Sequence, residues 1–162
     1  EAGGLKMPPA FKASLKKVTD GATKRKAAPK EMLGWVAKNA KVSVKNGSLK
    51  AAPAARQSFI ANAKIPARGP GVLRFRMRSP KNGKGQIQWR AKGQSSFPES
   101  GQVYPFSVEG AVWQEHEVGI EEKNGIVHLR LFMPQQKQPV EIDWIEISWQ
   151  GDDEIKSQRW DF

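Results

Sequence analysis

The stretch Val72–Arg78 reads VLRFRMR, and its three arginines ask for an explanation. Successive side chains of a strand point to opposite faces, so Leu73, Phe75 and Met77 share one side while Arg74, Arg76 and Arg78 share the other. The apolar side is a core face. The other lines up three guanidinium groups, which a stable sheet solvates, pairs with carboxylates, or presents to an anionic ligand. Glu115 and Glu117, alternating on a strand of their own, are the natural pairing partners.

The same two-sided texture recurs further along the chain. In GQIQWR, Ile87 and Trp89 oppose Gln86, Gln88 and Arg90; in IVHLRLFM, Val127, Leu129, Leu131 and Met133 oppose His128, Arg130 and Phe132. If these strands neighbour one another, Arg74, Arg76, Arg78, Gln86, Gln88, Arg90, His128 and Arg130 form one broad face rich in donors and poor in carboxylates. Such a face fits the hydroxyls of a glycan, and arginine's fork fits a sulfate or carboxylate group better still. Phe97 and Tyr104 flank the loop FPESGQ at a natural rim position, and Trp144 sits where the alternation breaks, so these three are candidates to stack on sugar rings. Trp89 and Trp113 are expected in the core, and Trp160 and Phe162 are expected to tuck the tail back onto the body.

The rest of the chain punctuates these strands. Asn46-Gly47 inside KVSVKNGSLKA is a strong hairpin signal, because a type I′ turn needs positive φ at both central residues. From there the pattern predicts strands near 42–45, 48–52, 57–61, 72–78, 85–91, 103–108, 113–120, 126–133 and 140–149, with turn clusters between them. No stretch between them is long enough for a helical crossover, so the sheets are expected to be antiparallel: an all-β sandwich of the jelly-roll kind. Before this body, 8–19 reads as a short amphipathic helix and a helical stretch restarts at Pro29, with Met32, Leu33 and Val36 on its apolar side and Asn39 closing it. The expected division is a lysine-rich helical tail or linker at 1–38 and a β-sandwich module at 39–162.

Charge follows that division. The 162-residue chain carries a formal net charge of +11, yet residues 1–50 hold 12 Lys and Arg against three Asp and Glu, leaving the remainder nearly balanced. A lysine-rich segment fits a polyanion, but base-reading segments usually carry arginine and this one holds only Arg25, so a nucleic-acid partner is the weakest alternative. The chain has no cysteine, which removes disulfides and thiolate chemistry, and no apolar run approaching the ~18 residues a membrane helix needs, so no membrane partner is expected. His116 and His128 stand alone on separate strands with no triad or metal-ligand spacing. Asp152-Asp153-Glu154 lacks the spaced ligands of a calcium loop. No catalytic residues, metal or cofactor are expected.

The closing strand VEIDWIEISW, with FRMRSPKNGKGQIQWR, PFSVEGAVWQEHEVGI, IVHLRLFMP and QRWDF, resembles the C-terminal β-sandwich accessory module of planctomycete-type bacterial sulfatases, itself similar to galactose-binding-like, carbohydrate-binding jelly rolls. The likeness covers roughly residues 35–162 and is one of strand texture. It implies an extracytoplasmic module attached to an upstream catalytic domain of the same chain, with polysaccharide, favouring sulfated forms, as its partner. The sulfatase nucleophile, a Cys or Ser in a C/S-x-P-x-R context, is absent, and Ser79-Pro80 does not supply it. The implied role is therefore accessory and not enzymatic. The alternative of a purely structural module packed on a catalytic domain predicts arginines that are covered or paired.

Overall fold

Asn46 and Gly47 take φ of 52° and 75°, the left-handed pair that a type I′ turn requires, and they close the hairpin that opens the second sheet. The computed structural model describes residues 32–162. Its strands are β1 (Val36–Lys38), β2 (Ala40–Lys45), β3 (Ser48–Pro53), β4 (Phe59–Asn62), β5 (Gly71–Arg78), β6 (Gly83–Ala91), β7 (Val103–Val108), β8 (Trp113–Ile120), β9 (Ile126–Phe132), β10 (Val140–Gln150) and β11 (Ile155–Asp161). They form two sheets. The first runs β1-β4-β9-β6-β7, and the second runs β2-β3-β10-β5-β8 with β11 also paired to β10.

Every ladder is antiparallel, as the short connections demand. The fold is thus an all-β sandwich, and the nine expected strands are all present. Two more were missed. β11 has no apolar alternation to announce it; its pairing with β10 creates it and buries Trp160. β1 falls where a helix was expected from Pro29 onward. The chain instead makes one tight turn, with Trp35 N–H donating to the Met32 carbonyl at 2.9 Å and Leu33 and Gly34 at φ of 53° and 92°, and then enters the first sheet beside β4. Burial decides this: Met32 and Trp35 belong to the core, where Trp35 meets Trp160 edge to face at 5.3 Å. The sandwich therefore takes in residues 32–38, and the helix expected at 8–19 lies outside the described residues.

The core fills the gap between the sheets. Leu73, Phe75 and Met77 of β5 meet Ile87 and Trp89 of β6 and Leu129 and Leu131 of β9, all buried, as the alternation of each strand requires. Of the described glycines Gly85 leaves the least room: a methyl group there would overlap the Phe106 ring and the Phe132 carbonyl. Gly85→Ala should destabilise the sandwich by about 1–3 kcal/mol through overpacking, measurable as a fall in the urea midpoint with an unchanged slope.

Candidate functional site

Strand order separates what the sequence pattern had grouped. β5 lies in the second sheet between β10 and β8, whereas β6 and β9 are neighbours in the first. The outward residues of β5 and those of β6 and β9 consequently look out from opposite sides of the molecule, and the single broad donor face does not form. The two sides differ in chemistry.

On the second sheet the arginine row is paired. Arg74 Nε donates to Glu117 at 2.8 Å, Arg76 to Asp143 at 2.7 Å and Arg78 to Glu141 at 2.9 Å. The register sets Arg74 opposite Glu117, as expected, but two of the three carboxylates come from β10, where a bulge between Ile142 and Trp144 brings Asp143 to Arg76. Trp113 is not in the core: it faces outward opposite Arg78, with the Arg76 and Arg78 guanidinium groups 4.6 and 5.0 Å from its ring centre. Trp144 belongs to this side too, under the Arg159 guanidinium at 4.3 Å, and Arg159 is paired in turn with Asp161. A hollow of about 360 Å³ on this face is walled by Arg74, Glu117, Trp144, Glu146 and Arg159, groups already engaged with one another.

The first sheet is the reverse. Its five strands contain no Asp or Glu at any position, whereas β8, β10 and β11 of the second sheet carry Glu115, Glu117, Glu141, Asp143, Glu146 and Asp161. Across β6 and β9 the register sets Gln88 opposite Arg130, Arg90 opposite His128, and Gln86 opposite Phe132. Phe59 of β4 lies opposite Phe132, with ring centres 4.8 Å apart. Phe97, from the connection between β6 and β7, folds onto this surface: the Arg130 guanidinium lies 3.7 Å from its ring centre and 4.9 Å from that of Phe59, and His128 meets it edge to face at 4.7 Å. Arg130 donates to Gln88 Oε1 at 3.4 Å, and Arg90 donates to the Gln94 carbonyl. Among the described residues, neither arginine forms an ion pair.

Of the expected site residues, then, Gln86, Gln88, Arg90, His128, Arg130 and Phe97 come together on the first sheet. Arg74, Arg76, Arg78 and Trp144 stand on the other side. Tyr104 joins neither group: opposite the core residue Ile87, it takes the inward phase of an edge strand, and Val103 and Pro105 hold the outward positions beside Gln88 and Gln86. Phe59 and Phe132 were missing from the expected set, although Phe132 had a signal, an apolar ring in the polar phase of its strand.

No protein-family model matches the chain, and no curated protein sequence matches it. Solved structures do. The CBM22-1–GH10 modules of the Clostridium thermocellum endo-1,4-β-D-xylanase 10B, complexed with xylohexaose, superpose with a TM-score of 0.57 at 9% identity, covering 75% of this chain and 27% of that one. A structure described as "CBM4 structure and function" gives 0.53 at 10% identity, covering 76% and 86%, and a family 29 carbohydrate-binding module gives 0.50 at 14%, covering 67% and 74%. The sandwich has the fold of carbohydrate-binding modules.

Both histidines are held below their ordinary range. Burial lowers His128, and the nearby Arg130 and Arg90 charges add to it; burial alone lowers His116, whose ring stacks on Phe75 at 4.9 Å. With the folded pKa depressed, the unfolded chain binds more protons in this range, so the histidines contribute stability that is present above pH 6.5, their unperturbed value, and lost as pH falls through the folded values. Thermal unfolding midpoints measured from pH 7.5 downward should drop, and His116→Phe should make that drop shallower; an equal slope in the variant would assign the acid sensitivity to other groups.

Proposed function

We propose that this chain is a non-catalytic polysaccharide-binding module that holds its glycan on the outer face of the β1-β4-β9-β6-β7 sheet. One observation carries the reading: a sheet without a single carboxylate presents Gln86, Gln88, Arg90, His128 and Arg130 beside the rings of Phe59 and Phe132, with Phe97 folded over Arg130. Amides and guanidinium groups grip hydroxyls while flat rings cover the apolar face of a sugar, and both act outward from a rigid scaffold. The likeness to carbohydrate-binding modules, including CBM22-1–GH10 modules complexed with xylohexaose, supports it.

Arginine without carboxylate partners favours anionic, especially sulfated, polysaccharide, and the resemblance noted in the sequence makes an upstream sulfatase the enzyme that this module positions, outside the cytoplasm. The paired face favours a second role. Arg74, Arg76 and Arg78, neutralised in place, suit a surface that packs against a catalytic domain, so the two sides of the sandwich divide glycan binding from attachment.

Affinity electrophoresis in gels containing a neutral or a sulfated polysaccharide, at ~50 mM and ~150 mM salt, tests this. The module should be retarded, and the sulfated gel should lose more of its hold at the higher salt. Gln86→Ala/Gln88→Ala/Arg90→Ala should weaken retardation about tenfold or more, while Arg74→Ala/Arg76→Ala/Arg78→Ala leaves it unchanged. Migration unaffected by every polysaccharide would overturn the proposal, and loss confined to the second variant would move the site to the opposite sheet.

A further inference from the structure

Arg130 is the first-sheet cation packed between aromatic rings. Its guanidinium is held between Phe97 and Phe59, 3.7 and 4.9 Å from the ring centres, and its one hydrogen bond among the described residues is the long one to Gln88 at 3.4 Å. Its Nε–H is enclosed and has no acceptor. A buried charged donor left without an acceptor is expensive, and contact with ring faces offsets only part of that cost. The guanidinium edge that would grip two oxygens in parallel is thus left unsatisfied, on a sheet with no carboxylate of its own to satisfy it.

Phe97 lies over the face of the Arg130 guanidinium. Phe97 sits on the connection between β6 and β7, whose neck is fastened by Gln94 and Gln102: Gln94 Nε2 donates to Gln102 Oε1 at 2.8 Å, Gln102 Nε2 donates to the Trp89 carbonyl at 2.9 Å, and the Ala91 N–H donates to Gln94 Oε1 at 2.9 Å. Beyond that clamp, residues 95–100 form a tip whose serines and Glu99 are exposed, while Phe97 reaches back onto the sheet. The tip ends at Gly101, at φ 88° with no heavy atom near enough to hinder a side chain there. With the neck fixed and the tip joined to the sheet through the contacts of Phe97 with Arg130 and His128, release of that one ring would leave the sheet below in place.

We propose that Arg130 is an oxyanion-reading subsite and that Phe97 is its removable cover. A sulfate ester or a uronate carboxylate on the polysaccharide displaces the Phe97 ring and accepts the Nε–H and a terminal N–H of Arg130 in parallel. Gln88 holds the guanidinium in plane from its other end. The proposal rests on the polysaccharide reading above and adds to it the group that is recognised and the residue that admits it. The exposed faces of Arg90 and His128 would then contact the sugar itself.

Titration calorimetry of the whole chain with three polysaccharides, one sulfated, one bearing uronates and one neutral, tests both parts. The wild-type protein should bind at least one charged polymer more tightly than the neutral one, and the tighter of the two names the oxyanion. Arg130→Gln should lose about tenfold for the charged polymers and little for the neutral one, and Arg130→Lys, which keeps the charge but not the fork, should lose selectivity as well. Phe97→Ala should bind the charged polymers at least as tightly as the wild type, because it removes only the cover. A charge preference that survives in both Arg130 variants overturns the subsite, and equal weakening for all three polymers in Phe97→Ala makes Phe97 a sugar platform and overturns the cover. Wild-type protein that binds none of the three overturns the polysaccharide reading itself. Thermal unfolding of each variant confirms that a loss of binding is not a loss of fold.

Discussion

The antiparallel pairing of β10 with β5 is the constraint on which the rest of the molecule depends. β10 gives one edge to β5 from Glu141 to Trp149, and its other edge is shared in succession by β3, at Val140 to Ile142, and β11, at Trp144 to Gln150. That register places Ile142, Ile145 and Ile147 inward against the core. It also places Glu141 and the bulged Asp143 beside Arg78 and Arg76 on the outside. A one-residue slip would turn every one of these side chains to the wrong face. The ion pairs are individually modest, each worth about 0.2–1 kcal/mol at such partly exposed positions, so their role lies more in neutralising a crowded row of arginines than in holding the sheet together.

Neutralisation on one side gives the other its character. Because the carboxylates of the strands all belong to the second sheet, the first is left with donors and aromatic rings and nothing of opposite charge. Arg130 and Arg90 therefore rely on ring faces, an amide and a carbonyl for their contacts. Both faces hold a buried guanidinium N–H without an acceptor, on Arg74 and on Arg130, but only on the first sheet does the arginine also lack a carboxylate partner, and that surface is the one poised for a ligand rich in oxygen. Although residues 51–162 are nearly balanced in charge, the two faces of one sandwich thus differ in how their charges are paired.

How far the sequence reaches can be judged residue by residue. Period-two alternation is local, so it assigned inward and outward faces correctly along β5, β6 and, from His128 onward, β9, but a register shift beside Arg90 puts Ile126 in the core and leaves Val127, expected inward, half-buried; turn chemistry located the β2–β3 hairpin. Which strand lies beside which is a long-range property. It placed Arg74, Arg76 and Arg78 on the opposite side from Gln88 and Arg130, and no local pattern distinguishes two polar faces of similar chemistry. Tyr104 lies in the inward phase of β7 for the same reason, its phase being fixed only by pairing with Ile87. Trp113 was expected in the core because it opens a strand; stacking by two arginines lets it stay outside. β1 and β11 were illegible because neither carries an alternation of its own, and both become strands only when a partner edge and the Trp35–Trp160 contact make them so.

The central claim is that ligand meets the unpaired face and leaves the paired one untouched. Backbone amide chemical shifts followed by nuclear magnetic resonance during titration with soluble anionic oligosaccharide test it most directly. The account predicts progressive, saturable shifts clustered at Gln86–Arg90, His128–Phe132, Phe59 and the tip around Phe97, with Arg74–Arg78 and Trp113–Glu117 unmoved. Shifts centred on β5, β8 and β10, with the first sheet silent, would contradict it.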